Sequence, residues 1–130
     1  MQRLLALVLV VLLNGCAAVD AVKNQIPSFW DDNENRAIID VRLSVERLDC
    51  AQAQHPQAQQ IVDRIDWLRY YSESKRSRDI MRITEPMQKT AEDFAKRTQD
   101  KDASRPYCEL KKKVLQEQVK ATADSMLRRF

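Results

Sequence analysis

Beyond residue 30 the apolar positions recur three and four residues apart. Ile38, Val41, Val45 and Leu48 trace one helical face, which Ile39, Leu43 and Cys50 widen. The spacing predicts a first helix over residues 33–53. Asp31-Asp32-Asn33-Glu34 starts it, with Asp31 and Glu34 at capping-box separation. The stretch AQAQHPQAQQ offers no large core residue, and Pro56 suits the first turn of a second helix. Ala58, Ile61, Ile65 and Leu68 form that helix's apolar side, broadened by Val62, Trp67 and Tyr71. The polar run SESKRSRD interrupts the pattern before Ile80, Ile83, Met87, Ala91 and Phe94 open a third face. Pro86 falls inside this third face, where it either follows a fresh start at Thr84-Glu85 or kinks a longer helix. The second and third helices therefore part near residue 76 or near residue 84. After the loop TQDKDASRP a fourth helix is expected over 105–128. Tyr107, Leu110, Val114 and Ala121 mark one face, with Leu115, Val119 and Met126 beside it. Arg128 and Arg129 suit its C-terminal end, and Phe130 is expected to close the bundle.

Composition narrows the fold class. A single Gly and four Pro among 130 residues are too few for the tight turns of a strand-rich fold. Charged residues make up 32%, so each helix must keep one side in water. The expectation is an all-α, up-down bundle of three or four helices over residues 33–130. A net charge of +3, from 22 basic and 19 acidic residues, gives no reason to propose nucleic acid as a partner.

The first thirty residues follow a different pattern. Residues 4–13 are all apolar, too short a run to span a bilayer, which takes about 20. With Arg3 ahead of them they read as the core of a secretory signal over residues 1–15. The run ends at Leu13-Asn14-Gly15-Cys16, which resembles the lipobox of bacterial lipoproteins. Asn14 departs from the commoner Ala or Ser. The resemblance implies a diacylglyceryl thioether on Cys16, cleavage before it, and acylation of the new amine with a fatty acid such as palmitate. The alternatives are an ordinary signal peptide with a chance cysteine and, less favoured, a buried N-terminal helix. In Gram-negative lipoproteins an Asp after the lipidated Cys retains the protein in the inner membrane. Ala17 stands there, so the resemblance implies the periplasmic face of the outer membrane. Residues 16–32 would then be the anchor and its tether.

Export implies an oxidising compartment, and the remaining Cys50 and Cys108 permit one disulfide; two independent buried thiols are the alternative. The bridge also constrains topology. A straight helix over 57–99 would be about 64 Å long and would carry Cys108 far from Cys50. A chain reversal near 72–86 instead brings the end of helix one to the start of helix four.

The catalogue of chemistry is short. Catalytic Cys-His work needs a base held against sulfur, and the lone His55 sits beside Pro56 in an expected loop. His and Cys are too few for a closed zinc site, and no phosphate loop is present. No catalytic residue, metal or cofactor is therefore expected, nor an enzyme. Asp63 and Asp66 share a helix face and read as exposed charge. Trp67, Tyr70 and Tyr71 cannot all point into one core, so at least one is a candidate partner contact. Lys111, Lys112 and Lys113 place positive charge early in the fourth helix, against its dipole, and are a second candidate surface unless simply solvated. Glu109 is positioned to pair with Lys113.

The pieces FWDDNE, IDWLRYYSESK and YCELKKK resemble segments of small helical lipoproteins of tailed-phage and bacterial genomes. The lipobox and the Cys50/Cys108 separation are similar to those of secretion pilotins, lipidated helical proteins that carry an outer-membrane pore subunit. These likenesses imply a structural or adaptor module bound to the bilayer through Cys16, with an envelope protein as partner. A phage-derived envelope modifier that blocks a receptor, or a pilotin-like assembly factor, is the alternative.

Overall fold

The structure, a computed structural model, describes residues 30–129. Cys16, the expected signal segment and tether, Phe29 and Phe130 lie outside the described residues. The described residues form four helices: α1 (Asp32–Glu46), α2 (Gln54–Ser74), α3 (Arg78–Thr98) and α4 (Arg105–Leu127). Among the described residues there is no strand. The helices pack as neighbours in the cycle α1–α2–α3–α4–α1, an up-down four-helix bundle. Its core is continuous from Ala37 to Met126 and includes Val41, Ile61, Ile65, Leu68, Met87, Phe94 and Leu115. No described helix is long and apolar enough to cross a membrane.

Asp31 caps α1 as its sequence position suggests, accepting from the amides of Asn33 and Glu34 at 2.9 and 3.0 Å. The helix ends at Glu46, well before the expected residue 53. Leu48 and Cys50 are buried all the same, but from a turn. Gln57 holds that turn: its amide accepts from Asp49 N at 2.8 Å and donates to the carbonyls of Asp49 and Ala53. A side chain that satisfies three backbone groups competes well against another turn of helix.

The α2–α3 break falls at 75–77. Arg76 N donates to Glu73 O and Ser77 N to Ser72 O, at 2.9 and 2.8 Å, the paired bonds of a Schellman end. Arg76 takes φ 58°, the left-handed position where glycine is usual. There an L-residue with a Cβ costs about 1–2 kcal/mol. Pro86 neither starts nor stops a helix; α3 runs through it. It lies on the exposed face, and its carbonyl accepts from Gln118 on α4 at 3.3 Å.

Two expected faces are corrected. On α4 the buried residues are Cys108, Leu115, Val119, Thr122 and Met126, while Leu110, Val114 and Ala121 face outward. Cys108 is the reason: its bridge to Cys50, with Cα atoms 5.8 Å apart, turns that side of α4 inward. On α1, Ile39 and Leu43 are also exposed, because Ala37 and Glu34 take the flanking inward positions.

The loops at the disulfide end are tied by one glutamine. Buried Gln54 donates to Ala103 O at 3.1 Å and accepts from Ala103 N at 3.0 Å. Its own amide donates to Asp102 at 2.9 Å, so α2 is capped by the α3–α4 loop. At the opposite end Arg129 is buried between α1 and α3. It pairs with Glu34 and, at 3.1 Å, with Asp79.

Candidate functional site

The geometry singles out the groove between α1 and α2. Along α2, Gln60, Asp63, Arg64 and Trp67 recur on the edge that meets α1. Asn33, Arg36, Ala37 and Asp40 answer them from α1, around a cavity of about 500 Å³. That volume is typical of a small-ligand or side-chain pocket. Trp67 remains half exposed (52%) yet is not loose: its ring stacks on Tyr71 with centroids 5.3 Å apart. Tyr71 is fixed in turn, its hydroxyl accepting from Asn33 at 2.9 Å and donating to Asp31 at 3.3 Å. A half-exposed indole held in place by a stacked neighbour is the kind of anchor that dominates protein contacts, because its ordering cost is met before a partner arrives.

Charge frames the groove. Arg64 lies 3.8 Å from Asp40, and its Nε is buried with no hydrogen-bond partner among the described residues. Lys75 lies 3.7 Å from Asp31. Burial works to raise the Asp31 carboxyl. The amides of Glu34 and Asn33, the Tyr71 hydroxyl and the Lys75 charge together outweigh it and hold the group below its ordinary range.

A larger hollow, about 800 Å³, lies by the α3–α4 loop among Asp93, Lys96, Arg97, Asp100, Lys101 and Tyr107. Its walls are mostly charged and open, without an exposed aromatic anchor like Trp67, and the α1–α2 groove is the better candidate.

Of the three aromatic candidates, Trp67 lines the groove and stacks on Tyr71, while Tyr70 is 69% exposed. The three lysines do not act together. Lys111 donates to Asp93 at 2.6 Å and lies over the Tyr107 ring; that hydrogen bond raises the lysine and lowers the aspartate. Lys112 donates to Leu48 O at 2.7 Å, close to the C-terminal end of α1. The positive charge that opposes the dipole of α4 thus serves the α1 terminus and Asp93. Lys113 is exposed, and Glu109 pairs with Arg105 at 3.9 Å rather than with Lys113. Asp63 accepts from Gln59 and Asp66 from Gln88, so the two carboxylates face different neighbours. His55 Nδ1 lies 3.0 Å from Ala95 O, and since a carbonyl only accepts, the ring donates. Among the described residues no group of three or more His, Cys, Asp or Glu is placed to hold a metal ion.

Arg36, Asp40 and Arg64 as groove residues, and Arg129 as a buried one, were not expected from the sequence. A signal for the latter existed: Glu34 stands on the Ile38, Val41, Val45 face, where a carboxylate needs a buried cation. No family model, curated protein or solved structure matches the chain.

Proposed function

We propose that this protein is a lipid-anchored binding module of the Gram-negative envelope. Cys16 carries the acyl chains at the periplasmic face of the outer membrane, and the bundle presents the α1–α2 groove to an envelope protein. The anchor reading is supported by the sequence Leu13-Asn14-Gly15-Cys16 after its apolar run. Two acyl chains suffice for stable attachment. The binding reading is carried by one observation, the half-exposed Trp67 held by Tyr71 at the mouth of the groove. The partner would insert an apolar side chain against the indole and set polar groups against Arg36, Asp40 and Arg64.

A photo-crosslinking amino acid placed at Trp67 in the full chain tests this in cells. A discrete crosslinked species is expected from position 67 and not from Glu117 on the outer face of α4. Equal crosslinking from both positions, or none from position 67, would contradict the groove as a partner site.

A further inference from the structure

We infer that Arg129 is a positioning residue for the α1–α2 groove: it fastens the first turn of α1, and that turn holds the ring that carries Trp67. The inference rests on the reading of the groove as a partner site, which is what makes the placement of Trp67 matter.

The first turn of α1 has little else to hold it. Helix ends leave backbone amides without intrahelical partners and open more readily than helix interiors. The apolar core begins only at Ala37. Between Asp31 and Asn35 the one buried residue is Glu34, and among the described residues Arg129 is the one hydrogen-bond donor to its carboxylate. The other oxygen, Oε1, is buried with no partner among the described residues. Asp79 holds the same guanidinium from α3, accepting from its Nε at 3.1 Å. The planar fork of an arginine can serve both carboxylates at once, which the point charge of a lysine does less well.

The same turn supports the groove. Asp31 Oδ1 accepts from the amides of Asn33 and Glu34, and Oδ2 of that carboxylate accepts from the Tyr71 hydroxyl at 3.3 Å. Asn33, itself a lining residue, donates to that hydroxyl at 2.9 Å. Tyr71 and Trp67 stand four residues apart on α2, and their rings stack with planes 3° apart. Contacts therefore run without a gap from Arg129 through Glu34 and the turn to Tyr71 and the indole. If the turn lifts, Tyr71 loses both hydroxyl partners together and the stack loses its support. A side chain at the C-terminal end of α4 thus acts on a groove to which α4 contributes no lining residue.

The chain has two tryptophans, Trp30 and Trp67, so Trp30→Phe leaves the groove indole as the sole tryptophan fluorophore. In the full-length chain with that change, acrylamide quenching reads the exposure of Trp67. The indole is 52% exposed, so its full release would raise the quenching constant about twofold. Arg129→Lys should raise quenching toward that limit and shift the emission to the red. Glu34→Ala cuts the same link and leaves Arg129 paired with Asp79, so no unpaired charge is buried; it should raise quenching likewise. Tyr71→Phe, which removes only the hydroxyl, should raise it in part. Cys50→Ser loosens the opposite end of the bundle and should leave quenching at the parent value, which separates lost positioning from lost stability. Far-UV circular dichroism checks that each variant stays helical. The inference is overturned if folded Glu34→Ala or Arg129→Lys leaves quenching unchanged. It is equally overturned if Tyr71→Phe does, or if Cys50→Ser raises quenching as much. None of these readings needs a partner, so a failed coupling and a failed partner site, read by crosslinking at position 67, are distinguishable.

Discussion

Arg129 and Glu34, 95 positions apart, form a buried ion pair that fastens the C-terminal end of α4 to the first turn of α1. Asp79 at the start of α3 completes the triad, so three helix ends meet at one guanidinium. Arg129→Met leaves Glu34 buried without its cation and is expected to cost about 3–5 kcal/mol. Glu34→Leu/Arg129→Met should recover much of that loss, because an apolar pair replaces the buried charges. Urea unfolding of Glu34→Leu, Arg129→Met and the double variant checks this. A double variant that loses the sum of the single losses would show that the pair is not coupled.

The disulfide fastens the other end. Cys50 and Cys108 close a span of 58 residues, for which the chain-entropy model gives about 4 kcal/mol. Cys50→Ser and Cys108→Ser should each lose a similar amount. The double variant should lose little more, since either change opens the same loop. Additive losses in denaturant titrations would contradict a shared role.

The Asp31 cap predicts a pH dependence. Its carboxyl is lowered in the fold, so the stability it contributes is present above the unfolded value near 3.9. That stability is lost as pH falls through the lower folded value. Asp31→Ala should cost about 1 kcal/mol near neutral pH. The gap between variant and wild type should close as the solution is acidified below about pH 4. A gap that stays constant through that range would mean that the charge of Asp31 does not matter.

Trp67→Ala separates binding from folding. The indole is 52% exposed but its stack on Tyr71 is lost with it, so its removal should cost about 1–2 kcal/mol and leave the bundle folded. The same substitution should abolish retention of whatever envelope protein is crosslinked near the groove. A large drop in the thermal midpoint would instead make Trp67 a structural residue.

How the fold was legible is instructive at particular positions. Ile61, Ile65 and Leu68, and Ile80, Met87 and Phe94, are core residues at helical spacing, and period alone finds them. The topology followed from Cys50 and Cys108, since a bridge requires the chain to reverse between them. Period failed on α4, where Leu110 and Val114 imitate a core face and only the inward turn of Cys108 decides between faces. The early end of α1 was hidden because it depends on Gln57 reaching Asp49 across a turn, a contact no periodicity encodes. The groove was half legible: aromatic crowding at 67–71 marked it, whereas its α1 wall of Arg36 and Asp40 reads in sequence as ordinary solvated charge.

The proposed anchoring of this bundle to a membrane depends on acylation of Cys16. Growth of a Gram-negative host with labelled palmitate, followed by purification of the full-length protein and its Cys16→Ser variant, tests it most directly. Label should enter the wild-type chain, which should sediment with membranes, and should be absent from Cys16→Ser. Equal labelling of the two chains, or none in either, would contradict the account.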